Sequence, residues 1–288
     1  MSLHIDEGGE GESLLVLLHG LGATAAVWTP FMEALGLGTA ASRWRGRWWA
    51  PDLPGHGRSD RADSYGVERI AETLGRELAS RAPAASAEGA GSSRAHRGRL
   101  VVLGHSLGGA VGLALASGRY GVQPDVLFGV GIVLVWTAED IRRMAHFAAQ
   151  PAKLFPTEAA AWDRYLKVSG LAGFATADSP IAARGIVADG PSWRLATDPR
   201  ANGSGEPPFA KLFGSLQCPV HLARGSRDPL ITLEHTRRFD PNAVDLGGQG
   251  HGDPDHAERG NGGPGHNVMV EAPHLVRDWM AAHGALAP

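Results

Sequence analysis

Ser106 stands in the pattern Gly-x-Ser-x-Gly, within the sequence Gly104-His-Ser-Leu-Gly108. An apolar run leads into this serine and small residues lead out of it, which is the setting of a sharp strand-to-helix turn that exposes a serine hydroxyl. A serine hydroxyl is a weak nucleophile, so it needs a base that takes its proton as it attacks a carbonyl. The context favours Ser106 as a nucleophile for acyl chemistry, with an ordinary turn carrying an exposed serine as the alternative.

The segments around Ser106 predict strands that alternate with helices. Apolar runs without polar alternation are typical of strands that are buried on both faces of a parallel sheet. Such runs occupy residues 13–18, 47–52, 99–103, 126–135, 219–224 and 243–246. Helices are predicted at residues 67–80, 110–117 and 268–280. Residues 82–98 are almost all Ala, Gly, Ser and Arg, and this composition predicts an exposed loop.

The alternation breaks between residues 137 and 208, where helical patterns dominate. Helices are predicted here at residues 138–150, 157–169 and 181–189. Thr157 is a predicted N-cap, and the Gly- and Pro-rich stretch 199–208 is a predicted linker back to the sheet. We therefore expect an α/β fold, with a mostly parallel sheet and helices on both faces, formed by residues 1–136 and 209–288. Residues 137–208 are the predicted helical cap, inserted over one edge of the sheet.

Five motifs follow one another over nearly the whole chain. They are His19-Gly20-Leu21-Gly22, Asp52-Leu-Pro-Gly-His-Gly-Arg-Ser59, Gly104-His-Ser-Leu-Gly-Gly109, Gly225-Ser-Arg-Asp228 and Gly265-His266. Together they resemble the α/β-hydrolase family with a helical cap. The resemblance identifies the superfamily, and it does not identify the substrate.

The resemblance implies a role for each motif. Ser106 would be the nucleophile, and a histidine late in the chain would be its base. Asp228 would orient that base, in the order Ser, Asp, His that this fold carries; a surface turn residue before Pro229 is the other interpretation. Leu107 lies at the start of a predicted helix, and its N–H would donate to the oxyanion. By resemblance, the N–H of Leu21 would be the second donor.

Two histidines compete for the role of base. The sequences Gly247-Gly-Gln-Gly-His251 and Gly262-Gly-Pro-Gly-His266 are near copies, and His251 lies nearer the last predicted strand. His266 leads directly into the final helix, which is where the histidine of similar hydrolases stands. A catalytic imidazole must be held firmly, so we favour His266 and leave His251 as the alternative.

A serine at position 106 narrows the chemistry. Similar dehalogenases and epoxide hydrolases carry an aspartate there, whereas a serine implies an acyl-serine or a serine-held tetrahedral adduct. The target would be an ester, thioester, amide, lactone or activated C–C bond. We expect a cofactor-independent carboxylic ester hydrolase with a small, partly apolar substrate. A C–C bond hydrolase, perhydrolase or lyase on the same triad stays open, as does a non-catalytic ligand-binding member of the fold.

The predicted cap carries an apolar and aromatic set of side chains, most of which would form its own core. Trp136 and Met144 are the two that we expect to bind substrate, because ligand sites are mainly apolar concavities between domains. The sequence His251-Gly-Asp253-Pro-Asp255-His256 has the composition of a metal cluster, but it lies in a Gly-rich polar loop. We expect no metal there.

Composition excludes several other classes of protein. The chain has 288 residues, of which 43% are hydrophobic, and its net charge of −3 leaves no basic excess for a nucleic-acid backbone. Cys218 is the single cysteine, so a disulfide framework is excluded. The first dozen residues are acidic, which is the wrong charge for a signal peptide. No apolar run is long enough to span a membrane. We expect a cytoplasmic monomer or homodimer whose partner is a small-molecule substrate, not a membrane.

Overall fold

The computed structural model describes residues 1–36, 44–81, 98–248 and 263–286. Its strands are β1 (Ile5–Gly8), β2 (Leu14–Leu18), β3 (Arg47–Pro51), β4 (Leu100–His105), β5 (Val126–Val130), β6 (Ile186–Asp189), β7 (Ser192–Leu195), β8 (Val220–Gly225) and β9 (Val244–Leu246). One sheet has the order β1-β3-β2-β4-β5-β8-β9. Only its edge strand β1 runs antiparallel to its neighbour among the strands described. The predicted α/β fold with a mostly parallel sheet is confirmed.

The helices flank this sheet. They are α1 (Thr29–Ala34), α2 (Val67–Arg81), α3 (Leu107–Leu115), α4 (Ala138–Ala149), α5 (Glu158–Val168), α6 (Phe209–Phe213), α7 (Leu233–Arg237), α8 (Val268–Glu271) and α9 (Pro273–Ala282). The sequence predicted one final helix from residue 268, but the helix is interrupted at Ala272, whose φ is −150°. Pro273 then starts α9, because a proline fits the first turn of a helix and not its interior.

Strand β2 shows why its apolar run forms a central strand. Leu15 and Leu17 are fully buried in one apolar core, while Val16 and Leu18 are fully buried in another. Successive side chains of a strand point to opposite faces, so a run without polar residues requires cover on both sides. The apolar pattern of residues 14–18 thus places β2 in the middle of the sheet.

Three sequence expectations about secondary structure are wrong. The predicted helix 181–189 is a 3₁₀ turn followed by strand β6, which pairs with β7 in an antiparallel hairpin. Gly190 at the hairpin turn has φ +58°, a conformation that a side chain disfavours. The predicted strand 126–135 ends at Val130, because Gly131 has φ +66° and turns the chain. Residues 199–204, predicted as linker, form a 3₁₀ helix.

Residues 137–208 contact loops at the carboxyl ends of the sheet strands. Thr24 Oγ1, in the loop after β2, donates a hydrogen bond to Ala183 O at 2.8 Å. Asn267 Nδ2, just before α8, donates to Ser169 O at 3.1 Å and Gly170 O at 3.0 Å. The segment therefore contains helices and a β-hairpin, and it contacts the loops at one end of the sheet.

Two further expectations concern the loop 82–98 and membrane-spanning helices. The predicted loop 82–98 falls outside the described residues except for Gly98. Among the helices that the structure describes, none combines the length and the apolar character needed to cross a bilayer.

Candidate active site

Ser106 occupies a strained turn between β4 and α3. Its backbone has φ +52° and ψ −116°, a region that residues with side chains rarely adopt. Such a conformation costs about 1–3 kcal/mol and persists only where the surrounding structure enforces it. The Ser106 N–H donates to Val130 O at 2.9 Å, which ties the turn to the end of β5. The side chain of Ser106 stands partly exposed at the carboxyl end of the sheet.

Two glycines allow this turn to form. A Cβ on Gly104 would lie 2.5 Å from Gly108 O, and a Cβ on Gly108 would lie 2.2 Å from Leu18 O. Both distances are too short for real atoms and both contacts are to backbone, which cannot move aside cheaply. Gly104 and Gly108 therefore let α3 pack directly onto the ends of β4 and β2, and this packing presents Ser106.

Asp228 and His266 form a hydrogen-bonded pair in which only the carboxylate is fully buried. His266 Nδ1 donates to Asp228 Oδ2 at 2.7 Å, and the Asp228 side chain is 0% exposed. The other carboxylate oxygen accepts from Leu230 N at 2.8 Å. Because the Nδ1 proton is committed to the carboxylate, the neutral imidazole has its lone pair on Nε2. His266 is thus set up to accept a proton at Nε2.

The His266 ring of this pair packs against His105, the residue that precedes Ser106 in the chain. The ring centroids of His105 and His266 are 4.6 Å apart, and a Cβ on Gly131 would lie 3.3 Å from atoms of both rings. Ser106 Oγ has no hydrogen-bond partner among the residues that the structure describes. Catalytic hydrogen bonds in free enzymes often tighten only when substrate binds. The arrangement brings together the predicted nucleophile, base and acid at one end of the sheet.

The loop after β2 approaches the same serine. A Cβ on Gly20 would lie 3.3 Å from the Cβ of Ser106, so the backbone of residues 20–21 borders the site. Leu107 is the first residue of α3, where the N–H groups have no intrahelical acceptor. These positions suit backbone N–H donors to a negatively charged oxygen. The assignment of Leu21 and Leu107 to an oxyanion hole stays a prediction.

His19 holds this loop in place and takes no part in proton transfer at neutral pH. Its Nε2 accepts from Leu53 N at 2.9 Å, so its proton is on Nδ1, which donates to Gly20 O at 2.8 Å. Burial, with the neighbouring His56, lowers the pKa of His19 to about 3. The neutral ring therefore acts as a fixed bridge between the loops after β2 and β3.

Arg184 links residues 137–208 to two aspartates of the sheet region, Asp52 after β3 and Asp6 in β1. Its guanidinium binds Asp52 Oδ2 at 3.1 Å and Asp6 Oδ2 at 2.5 Å. Asp52 also accepts from Ala25 N at 2.8 Å and from Arg58 N at 3.0 Å. Burial opposes ionisation of Asp52, yet its pKa is lowered, because these donors stabilise the carboxylate. No local sequence pattern indicates Arg184, because its role depends on contacts with Asp6 and Asp52, which are distant along the chain.

The structure does not place the two predicted substrate-binding residues against Ser106. Trp136 is half-buried and its Nε1 donates to Val133 O at 2.8 Å. Met144 lies on α4, on the same face as Ala148, whose Cβ is 2.9 Å from where a Cβ on Gly203 would stand. That face of α4 is directed to the 3₁₀ helix Pro199–Ser204. Substrate contact by Trp136 or Met144 stays a prediction.

Other candidates from the sequence fall into two groups. His251 and the metal-like sequence that it begins lie outside the described residues. In the described ranges, no group of three or more His, Cys, Asp or Glu side chains is arranged to hold a metal ion. Burial raises the pKa of the Cys218 thiol to about 11, so this side chain is a neutral thiol at physiological pH.

Glu271 is a site residue that sequence reasoning missed. Its carboxylate accepts from Gly265 N at 2.7 Å and Asn267 N at 3.3 Å, the residues on either side of His266. An acidic residue in the first turn of a helix often binds N–H groups at that helix end. A carboxylate five residues after His266 was the signal that could have identified it.

Comparison with known proteins points to one family. The model of the alpha/beta hydrolase family matches residues 15–279. A protein of Caulobacter segnis named as the carbamate hydrolase RutD is 30% identical over 167 residues. That match covers 51% of this chain and 53% of RutD, so the chain matches about half the length of this relative.

Solved structures share the whole fold. The thioesterase domain from the curacin biosynthetic pathway is similar with a TM-score of 0.69 and 19% identity, over 96% of this chain and 94% of that one. E-2-(acetamidomethylene)succinate hydrolase is similar with a TM-score of 0.69 and 20% identity, over 97% and 94% of the two chains. At these identities the likeness shows the fold alone.

Proposed function

The chain belongs to the α/β-hydrolase family, and on that premise we propose that it is a hydrolase that cleaves an ester or related acyl bond through an acyl-serine on Ser106. The observation that carries the proposal is the hydrogen bond from His266 Nδ1 to the buried Asp228 carboxylate, beside the strained Ser106 turn. The names of its relatives, a carbamate hydrolase and a thioesterase domain, support an acyl bond as the target.

In the first half of the reaction Ser106 is acylated. Ser106 Oγ attacks the acyl carbonyl while His266 Nε2 takes the hydroxyl proton. Asp228 stabilises the imidazolium that forms, and the N–H groups of Leu21 and Leu107 stabilise the oxyanion. The tetrahedral adduct then collapses: the bond to the leaving group breaks, and His266 returns its proton to that group.

In the second half a water molecule releases the acid. His266 Nε2 takes a proton from the water as its oxygen attacks the acyl-serine carbonyl. The new adduct collapses, Ser106 Oγ leaves, and His266 gives the proton back to it. The products are a carboxylic acid and the regenerated hydroxyl, so the cycle consumes one water and needs no redox partner.

Residues 137–208 act in this proposal as a cap over the pocket, on a core of residues 1–136 and 209–288. Their hydrogen bonds to the loops after β2 and before α8 support that role. Trp136 and Met144 would line the acyl site. Met144→Ala should shift the ratio of kcat/KM between long and short acyl esters by about tenfold. Met32→Ala, on α1 outside the cap, is the matched control, and an unchanged ratio in the Met144 variant would argue against this placement.

A panel of short and long p-nitrophenyl esters, with a fluorophosphonate probe, tests the activity itself. Ester turnover and a covalent adduct on Ser106 are expected, and Ser106→Ala should lose about a million-fold in kcat. Ser215→Ala, a serine that caps a turn at Leu212 O, controls for the loss of a hydroxyl. More than a few per cent activity in Ser106→Ala would contradict the serine mechanism. Labelling of Ser106 without turnover of any ester would point to C–C bond cleavage or ligand binding.

A further inference from the structure

His105 is a buried histidine for which the proposed mechanism has no use. It is the last residue of β4 and the chain neighbour of Ser106, and it is 3% exposed. Its Nε2 lies 3.0 Å from the backbone oxygen of His266. Its Nδ1 is buried and has no hydrogen-bond partner among the described residues.

These contacts determine where the proton of His105 lies. A carbonyl oxygen only accepts, so Nε2 carries the proton and donates to His266 O. Burial, and then the neighbouring His266, hold the pKa of His105 well below its ordinary value. Nδ1 consequently stays a bare lone pair, 2.8 Å from where a Cβ on Gly20 would stand. His105 is therefore a fixed neutral N–H donor and cannot pass a proton on.

The hydrogen bond of His105 completes the support of the base. Glu271 already binds the N–H groups of the two neighbours of His266, Gly265 and Asn267. His105 binds the carbonyl between them, and its ring packs against the edge of the His266 ring at an interplanar angle of 60°. Without this donor the peptide after His266 would be held only by the bond from Asn267 N to Glu271, so the imidazole on the adjoining Cα would be positioned less firmly.

We propose that His105 is a positioning residue for the catalytic base, whose Nε2–H holds the His266 backbone so that the imidazole faces Ser106. This inference rests on the proposed function for its effect on rate. The positioning itself is a property of the His266–Asp228 pair, so it can be measured without any substrate.

Two substitutions separate the donor from the ring. In His105→Gln the side-chain amide nitrogen is as many bonds from Cα as Nε2 of histidine, so the donor is kept. In His105→Phe the ring is kept and the donor is lost. His221→Phe is the matched control, because His221 also packs on an aromatic ring, that of Phe128 at 5.2 Å, but lies away from Ser106. If His105→Phe fails to fold, His105→Met removes the donor with a more adaptable side chain.

Kinetics test the effect on rate. A displacement of about 1 Å in a catalytic group costs about a hundredfold, so His105→Phe should lower kcat by about a hundredfold and leave KM within about twofold. His105→Gln should recover most of that loss, and His221→Phe should keep the wild-type kcat. Equal losses of kcat in His105→Gln and His105→Phe would overturn the proposal. A loss of kcat in His221→Phe that matches its loss of Tm would also overturn it, because general destabilisation would then explain the lower rates.

Proton NMR tests the positioning alone. The low-field resonance of the His266 Nδ1–H, assigned by its disappearance in Asp228→Asn, should exchange faster with water in His105→Phe and keep the wild-type exchange rate in His105→Gln. An unchanged exchange rate in His105→Phe would overturn the inference, even if no ester is turned over. If the wild-type protein turns over no ester but the His266 Nδ1–H exchanges faster in His105→Phe, the proposed function would be contradicted and the positioning role would stand.

Discussion

The nucleophile turn and the base loop are built in different ways. Residues 104–108 are held by backbone packing, with Gly104 and Gly108 pressed against carbonyl oxygens and Ser106 at φ +52°. Residues 263–267 also pack against backbone, since a Cβ on Gly225 would lie 1.9 Å from Gly265 O, but side chains hold them in addition, through Glu271 and His105 on the backbone and Asp228 on the ring. A backbone constraint leaves a local signature in the sequence, as does a nearby carboxylate such as Glu271, whereas Asp228 and His105 come from distant elements and leave none.

The first prediction removes the carboxylate that binds His266, that of Asp228. Asp228→Asn keeps the side-chain volume, and its amide oxygen can keep the hydrogen bond to Leu230 N. Its amide nitrogen would then face His266 Nδ1 and favour the wrong tautomer. Loss of a triad carboxylate costs about 10⁴-fold in kcat, which is the expected result in steady-state ester hydrolysis.

The control for that substitution is Asp245→Asn, on the neighbouring strand β9. Asp245 pairs with Arg224 at 2.9 Å and its side chain is 30% exposed. Arg224 keeps its hydrogen bonds to the carbonyl oxygens of Gly225, Ser226 and Ile231 in this variant, so kcat should stay at the wild-type value. If Asp228→Asn behaved like Asp245→Asn, Asp228 would be an ordinary turn residue.

The second prediction breaks the nucleophile turn through its backbone. A Cβ on Gly108 would meet Leu18 O at 2.2 Å, so Gly108→Ala should lower the free energy of unfolding by about 3 kcal/mol, the upper range for overpacking. Gly66→Ala is the matched control, since a Cβ at Gly66 has no atom within 4 Å in the described structure. Urea denaturation measures both variants. A wild-type stability for Gly108→Ala would contradict the view that packing fixes this turn.

The third prediction concerns pH and the buried histidines near the nucleophile. Burial lowers the pKa of His19 to about 3, and it also lowers the pKa of His56 and of His105. Unfolded histidines titrate near pH 6.5, so below that pH the unfolded chain binds protons that the folded chain does not. Stability should be complete above pH 6.5 and fall as the pH decreases, towards pH 3 for His19.

Each of these histidines contributes a slope of up to about 1.4 kcal/mol per pH unit. Urea denaturation between pH 7.5 and 5.0 measures the slope, and His105→Gln should reduce it by one histidine's share. A free energy of unfolding that stays constant across this range would show that the three rings are not buried in their neutral form.

Much of the fold could be predicted because it depends on local patterns. The apolar run 14–18 predicted a strand buried on both faces, and Thr157 predicted the N-cap of α5, where its hydroxyl accepts from Ala160 N. β1 was missed because its sequence, Ile5-Asp-Glu-Gly, carries no apolar run and is defined by its pairing with β3. The hairpin of β6 and β7 was missed although Asp189-Gly190 is a turn signal that helical spacing had outweighed.

The site divides in the same way. Ser106 was recognisable because Gly-x-Ser-x-Gly lies between a strand and a helix, as the turn requires. The base was less distinct, because His251 and His266 follow near-identical glycine patterns, and His266 was favoured only for its place before the final helix. Its contacts with Asp228 and His105 come from across the chain and have no pattern in the local sequence.

His266 is the proposed base that activates Ser106, and a pair of single variants tests this role. His266→Ala should lose about a million-fold in kcat for a p-nitrophenyl ester, as expected for a triad histidine. His251→Ala should keep most of the wild-type activity and an unchanged pH–rate profile. The reverse result, an active His266→Ala and an inactive His251→Ala, would contradict the account and assign the base to His251.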